Sequence, residues 1–392
     1  RPPPSTPIGR GSGSLAVDIS LASGGAILAL LLLLFISRRK SHKEKQLLEV
    51  ELDNLNPEAE RQRELERLRD RMSEVLEAQG EPHGSGEAAA GAAAAPVRFS
   101  ASIVYLRFGA RAAAAHGILE LLNAEDPAAV QRGVAEGFDA IEREVMANGT
   151  DVDRECFDYV ARRAAGSSAT LFANSPYPRD CDANGVRRDR VTASGEGMLL
   201  ADFRSHPHAT AARLTLVHVL VLRLYSTAAF VTINQPLRET TNKKARAAPH
   251  PFPVTVMILA EAIKKLRAVP AAAVNGSGAG EANAVELWRG LRDAVVPEEF
   301  INGGGTENAP MSTTRSLQVA MRYSASAMPM LMRFKVGTFM QLGADLGFVS
   351  AFPDENEVLY PPLTYLQSVS PPAELRVGDV TFTIVDVEPF IG

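Results

Sequence analysis

With 392 residues the chain is longer than one ordinary domain, and its formal charge of −5 is spread along its length. Two cysteines, Cys156 and Cys181, exclude a disulfide-dense scaffold and a zinc site built from cysteines, and leave open whether the two pair. The charge balance singles out no nucleic-acid partner, and none is expected.

Residues 1–18 are rich in Pro, Gly and Ser and are expected to be disordered. Segment 19–37 then carries no charge and contains an unbroken leucine run from Leu30 to Leu34. It reaches the length of a membrane span, roughly 17–25 residues. Arg38, Arg39, Lys40, Lys43 and Lys45 follow the apolar stretch, whereas a secretory signal carries its basic residues before it. The reading is a single-pass transmembrane helix with the C-terminal bulk on the cytosolic side. From 44 to 79 the composition turns to Glu, Arg, Lys, Gln and Leu. Leu48, Leu52 and Leu55 form one seam, Pro57 interrupts it, and Leu65, Leu68, Met72 and Val75 repeat at helical spacing. This is a helical stalk, able to self-associate as a coiled coil or to stand as a solvated helix. Residues 80–97 read as a low-complexity tether.

Phe99 to Phe108 has a strand-like or buried character. From Ala112 to about Arg163, apolar residues such as Ile118, Leu121, Phe138, Ile141 and Val145 recur at helical spacing. Residues 98–190 are therefore taken as an α-rich accessory region without an assignable function. Asp151, Asp153 and Glu155 alternate acidic groups but lack the Gly and distal Glu of a calcium loop, so a solvated turn is expected. Residues 166–197 read as a long surface loop. His206 and His208 read as a helix start, and no metal is called for. Leu214 to Phe230 is apolar and helical in length, with His218 as a hydrogen-bonded core histidine. After the loop Asn242–Pro253, Val254 to Val269 forms a helix whose Lys264, Lys265 and Arg267 complement the dipole at its C-terminal end.

Beyond a Gly-rich break the pattern becomes β-dominated: Val285–Leu291, Ala309–Thr314, Met330–Val336, Asp345–Ser350, Val358–Leu366 and Val380–Val387. A helix is expected from about Arg315 to Ser324. Gly303-Gly304-Gly305 lacks the Lys-Ser/Thr of a phosphate loop and reads as a flexible turn. The fold class is α+β, a helical preamble followed by a split mixed β core over 191–392.

The stretch Phe352-Pro353-Asp354-Glu355-Asn356-Glu357-Val358-Leu359-Tyr360-Pro361-Pro362 sets acidic side chains between two apolar runs. Were it extended, Glu355 and Glu357 would face the same way. Two carboxylates suit a reaction that develops positive charge on a sugar. Upstream lie Leu287-Trp288-Arg289-Gly290 and Met311-Ser312-Thr313-Thr314, so Arg, Ser-Thr-Thr and Glu-x-Glu follow in order within about 70 residues.

That order resembles the Arg–Ser–Glu class of mono-ADP-ribosyltransferases. The likeness extends to Glu-x-Glu-Val-Leu-x-Pro-Pro over 355–362, to Leu224-Tyr225-Ser226 and to Ile233-Asn234-Gln235-Pro236-Leu237-Arg238, and it covers 198–366. Ser-Thr-Thr departs from the usual Ser-Thr-Ser at its last position. The resemblance implies an ADP-ribosyltransferase-type core using NAD as co-substrate, with the arginine of an acceptor protein as target. It further implies that Arg289 holds a phosphate or ribose oxygen, that Gly290 meets the nicotinamide amide, and that Ser312 bonds the ribose or a catalytic carboxylate. Glu357 would stabilise the oxocarbenium-like sugar, and Glu355 would engage the acceptor guanidinium. Two alternatives stand beside this: an NAD glycohydrolase, and a catalytically silent head on a membrane-anchored coiled-coil scaffold.

Overall fold

The computed structural model describes residues 57–80, 117–161, 198–239, 248–269 and 285–391. The transmembrane helix expected at 19–37 lies outside the described residues. So do the N-terminal segment 1–18, the tether beyond Gly80, the strand-like run Phe99–Phe108, the loop at 166–197 and Cys181. Among the described residues no single helix is long and apolar enough to cross a membrane.

The chain divides into two compact units, Arg1–Asp70 and Arg71–Gly392, and the boundary falls inside helix α1 (Pro57–Gly80). Pro57 starts this helix rather than merely interrupting a seam, because the first helical turn needs no donor at that position. Glu58 and Glu60 in the same turn suit the positive end of the helix dipole.

In the second unit the helices are α2 (Ile118–Leu121), α3 (Pro127–Glu136), α4 (Phe138–Asn148), α5 (Asp151–Val160), α6 (Leu200–Ser205), α7 (Pro207–Ala211), α8 (Leu216–Tyr225), α9 (Phe230–Glu239) and α10 (Pro253–Arg267). Their starts are written in short polar signals. Asp126 accepts from the amides of Ala128 and Ala129 at the head of α3. Thr150 and Asp153 form a reciprocal capping box on α5. Asp153 is therefore no member of a solvated turn. It is buried, and one of its oxygens accepts from the Thr150 amide, the Thr150 hydroxyl and the Thr232 hydroxyl. α10 is capped from a distance: Glu144 of α4 accepts from Val254 N at 2.7 Å and Thr255 N at 3.0 Å.

Ile141, Val145, Phe157 and Val160 share one apolar cluster with Val219, Leu222, Leu259 and Ile263. The described helices up to residue 161 and those from residue 200 thus contribute to a common core. The apolar run 214–230 is not one continuous helix: α8 ends at Tyr225 and α9 starts only at Phe230. Ser226 and Thr227 turn their hydroxyls back onto the carbonyls of Arg223 and Leu224, and the chain bends by 78° between α8 and α9. His218 takes its expected core position, with Nδ1 facing the Thr215 amide at 3.0 Å. His206 caps α7 through Nδ1 and stacks on Phe348.

The remaining elements are β1 (Val285–Arg292), α11 (Glu298–Gly303), β2 (Gly305–Glu307), β3 (Met311–Thr314), α12 (Leu317–Ser324), β4 (Pro329–Val336), β5 (Ala344–Asp345), β6 (Glu357–Tyr360), β7 (Thr364–Ser368), β8 (Ala373–Val377) and β9 (Val380–Phe390). Among the described residues they form one mixed sheet of order β2-β7-β9-β4-β1-β3-β6-β5, with β8 on β9. Among the described strand pairs only β4 and β9 run parallel.

Three expectations need correction. Gly303–Gly305 is no flexible turn: Gly304 sits at φ +63°, where a Cβ would meet Leu366 O at 2.4 Å, and it launches β2. The run 358–366 is two strands, because Pro361 and Pro362 lack amide donors and Leu363 follows at φ 65°. The expected strand 345–350 meets β6 only at its first two residues, Asp345 opposite Val358 and Leu346 donating its amide to Glu357 O at 2.9 Å. Leu346 O then accepts from Val349 and Ser350 in a turn.

Candidate active site

The sheet is nearly divided in two. β1 pairs with β4 along its whole length, from Val285 to Arg292, but meets β3 only at Trp288 and Thr314. The β3–β6–β5 half is therefore joined to β1 at a single pair, and the expected site residues line this junction. Register decides which way they face. On β6, Val358 and Tyr360 join the sheet's own apolar cluster, whereas Leu359 joins the helical one. Ser312 pairs with Leu359 and Thr314 with Glu357, so Ser312, Thr314 and Glu357 share the face turned to the helices.

On that face Ser312 Oγ donates to Glu357 Oε1 at 2.6 Å, which favours the carboxylate among the partners that the resemblance allows. Tyr225 of α8 lies beyond. Its hydroxyl donates to Pro310 O at 3.1 Å, sits 3.4 Å from Ser312 Oγ and accepts from Asn234 Nδ2 at 3.0 Å. Thus the tyrosine and asparagine segments 224–226 and 233–238 converge on the hydroxyl triplet. Burial pushes the Glu357 carboxyl up to about 7; the Ser312 hydrogen bond opposes this and the charge of Glu355 adds to it. Burial, and then the charge of Glu357, raise the Tyr225 phenol above its ordinary value.

Arg289 enters the junction from β1. Its Nη1 donates to Ser312 O at 3.3 Å, its Nη2 lies 3.9 Å from Glu307 Oε2, and its buried Nε has no hydrogen-bond partner among the described residues. Glu307 is buried at the end of β2 and is shared. Arg238 of α9 donates Nε to Glu307 Oε1 at 3.1 Å, and the Ala309 amide approaches the same oxygen at 3.2 Å. Burial opposes the charge of Arg238, but Glu307 and Tyr225 together outweigh it and hold that guanidinium above its ordinary value. Burial, with Arg238 as the next cause, brings Arg289 down to about 10, still protonated at neutral pH. Two guanidinium groups around one carboxylate leave an excess positive charge and an unsatisfied donor. An unsatisfied buried donor costs about 1–3 kcal/mol, which an anionic ligand would relieve.

Glu355 is placed differently from the extended reading. Pro353–Glu355 is a 3-10 turn, and Asn356 closes it in the left-handed region at φ 47°, ψ 47°. Asparagine tolerates that conformation better than most residues, which gives the neutral spacer a backbone role. The alternation that would align Glu355 with Glu357 is thus broken at Asn356. Glu355 instead accepts from the Tyr323 hydroxyl at 2.5 Å, and Arg322 Nη2 lies 3.8 Å away. Thr314 Oγ1 donates to Glu355 O at 2.5 Å and pins the turn to β3, while Thr313 bonds Val358 O. Gly290 has a packing reason to be glycine: a Cβ there would meet Ala320 O at 2.0 Å, so α12 presses directly on β1. Tyr360 stacks on Phe334 in the core.

The structure thus brings Arg289, Ser312 and Glu357 together and sets Glu355 on the adjoining turn. Sequence reasoning did not single out Glu307 or Tyr323, which carry no local motif. Among the described residues no group of three or more His, Cys, Asp or Glu is arranged to hold a metal.

No family model matches the chain, and no curated protein does. Among solved structures it is similar to the ADP-ribosyltransferase HopU1 of Pseudomonas syringae pv. Tomato DC3000, at 17% identity over 61% of this chain and 97% of that one, with a TM-score of 0.35. It is also similar to the Vis toxin, an ADP-ribosyltransferase from Vibrio splendidus (18% identity, 48% and 82% covered, TM-score 0.33). A third is the eukaryotic mono-ADP-ribosyltransferase ART2.2 (17% identity, 46% and 68% covered, TM-score 0.32). Likenesses this distant leave the functional argument to the residues of the chain itself.

Proposed function

We propose that the chain transfers ADP-ribose from NAD to the guanidino group of an arginine in an acceptor protein, releasing nicotinamide. The observation that carries this reading is the partly buried Ser312–Glu357 pair beside Arg289, whose guanidinium is only partly satisfied. Breaking the bond between nicotinamide and ribose leaves a cationic sugar joined to an anionic pyrophosphate. Opposite charges are needed a few ångströms apart, and this junction supplies both. Arg289, backed by Arg238 and Glu307, suits the anion. The Glu357 carboxylate suits the developing cation, with Ser312 fixing one of its oxygens. Glu355 stands on the adjoining turn, where a carboxylate can orient an incoming guanidinium and accept its proton. Because Tyr323 and Arg322 already engage Glu355, hydrolysis by water is the second reading.

The test is to incubate the full chain with NAD labelled in its adenylate and a free guanidino compound. Label on the guanidine with matching nicotinamide release is the expected result. Nicotinamide release with unlabelled guanidine would leave the glycohydrolase reading, and neither product would overturn both.

A further inference from the structure

We infer that Tyr323 is a positioning residue for the acceptor half of the site: its hydroxyl holds the Glu355 carboxylate and thereby sets how much ADP-ribose reaches a guanidine rather than water. This rests on the transferase reading above and divides the work of that same site further. Glu355 ends a short 3-10 turn, and its side chain has three rotatable bonds. A carboxylate that must meet an incoming guanidinium gains rate when that freedom is removed beforehand. Tyr323 Oη donates to Glu355 Oε1 at 2.5 Å, the short end of the range for a hydroxyl on a carboxylate, about 2.5–2.7 Å. Burial, and then the charge of Glu355, push the phenol above its ordinary value, so it remains a donor through the neutral range.

The hydroxyl is itself held. Ser316 caps α12 by accepting from the Val319 amide, and the bare Cα of Gly290 lets the helix backbone press on β1. Arg292, at the end of β1, donates Nε to Tyr323 O at 3.0 Å. The strand that carries Arg289 therefore also braces the residue that fixes Glu355. Tyr323 is 45% exposed, so the core draws little from its ring, and the hydroxyl is what the position uses. Arg322 of the same helix and Glu357 of β6 also face Glu355, but the Arg322 contact is longer, at 3.8 Å.

The bond-breaking residues are braced by other contacts. Ser312 holds Glu357 at 2.6 Å, and Tyr225 of α8 stands 3.4 Å from Ser312. In both outcomes the bond from C1′ of the ribose to nicotinamide breaks, and nicotinamide leaves neutral with the electron pair. In transfer, a guanidine nitrogen bonds C1′ and its proton passes to Glu355 and on to solvent. In hydrolysis, a water oxygen bonds C1′ and its proton goes to solvent. Only the first outcome depends on where Glu355 points, so loss of the phenol should act on the division between them.

The full chain and its Tyr323→Phe variant are given NAD and agmatine, and ADP-ribosyl-agmatine and nicotinamide are counted in one reaction. The variant should make about tenfold less ADP-ribosyl-agmatine per nicotinamide released, the scale of one lost hydrogen bond to a charged group. Both products come from the folded chain, so this ratio does not depend on how much of the variant folds. It also removes the titration of Glu357, on which both products depend. On the acid side the ratio should fall away at a higher pH in the variant, because Glu355 loses a donor that favours its ionised form. A ratio within about twofold of that of the unaltered chain, whether or not both products fall, would overturn the inference and leave the transferase reading standing. A lowered ratio whose acid limb has not moved would assign Tyr323 to the shape of the cleft and would equally overturn its role on Glu355. Absence of ADP-ribosyl-agmatine from the unaltered chain would place the failure in the transferase reading, and the inference would fall with it.

Discussion

Two arginines in the same sheet are almost equally buried and paired in opposite ways. Arg333 on β4 lies directly across from Asp386 on β9 in the parallel register. Its Nε and Nη2 meet the two Asp386 oxygens at 2.6 and 2.9 Å, a closed fork, and Ser370 Oγ adds a third contact at 3.2 Å. Burial works against the Asp386 charge, but Arg333 outweighs it and holds the carboxyl below its ordinary value. Arg289 on β1 has a carboxylate no nearer than 3.9 Å and an Nε without a partner among the described residues. A closed pair serves the fold, because every group that left water found a replacement. An open one, set where the sheet is nearly divided, fits the anion-holding role proposed for Arg289. Two carboxylates, the half-buried Glu144 and the buried Glu357, show the same contrast. Glu144 receives two amides and a hydroxyl at the head of α10, whereas a single hydroxyl is seen on Glu357.

The largest effect should come from removing the open carboxylate. Glu357→Gln is expected to lower both nicotinamide release and guanidine modification by roughly 10²–10³, the usual loss for one preorganised electrostatic partner. Its unfolding midpoint should not fall, because the change removes a buried charge rather than a satisfied one. Activity within a factor of about three of the unaltered chain would remove Glu357 from the reaction. Next come the two arginines. Arg333→Met leaves Asp386 buried and unpaired and should cost about 3–5 kcal/mol in denaturant unfolding. Arg289→Met should cost clearly less, since Glu307 keeps Arg238, yet should abolish NAD binding by calorimetry. Equal losses of stability would erase the distinction between closed and open pairs.

The smallest effect is a pH slope. Glu144 and Glu357 both have folded values raised from 4.5, to about 6 and about 7, chiefly by burial. A raised carboxyl binds its proton more tightly when folded, so stability falls as pH rises from the unfolded value through the folded one. The slope is about 1.4 kcal/mol per pH unit for each such group within its window. Glu144→Gln should flatten the curve between about 4.5 and 6, and Glu357→Gln should flatten it up to about 7. An unchanged slope between pH 6 and 7 in the second variant would mean that Glu357 is ionised without cost.

The legible parts of this molecule were those whose signal is local. β-type runs marked β1, β4 and β9, a stretch of helical length marked α8 and another marked α10, and the ordered residue types marked Arg289, Ser312 and Glu357. Thr150-x-x-Asp153 also carried its capping signal in sequence, although acidic alternation around it suggested a turn. What stayed hidden depends on partners far along the chain. β2 is three residues long, too short for alternation, and exists because it pairs with β7. Glu307 matters through Arg238, 69 residues away, and Tyr323 through Glu355, 32 residues away. The extended reading of the acidic loop failed at one backbone conformation, the left-handed Asn356. That single residue separates the two carboxylates and gives them different neighbours.

The claim that these carboxylates have separate tasks is tested most directly by Glu355→Gln in an assay that counts both products. Nicotinamide is followed by chromatography and ADP-ribosyl-guanidine by mass spectrometry, from one reaction with NAD and a free guanidino compound. The substitution keeps the size of the side chain and one acceptor oxygen but removes the charge that orients a guanidinium. Guanidine modification should fall by about two orders of magnitude, the scale of one lost electrostatic partner, while slow nicotinamide release into water persists. If both products fall by the same factor, Glu355 belongs to NAD binding or to the fold, and the division of labour between the two residues is contradicted.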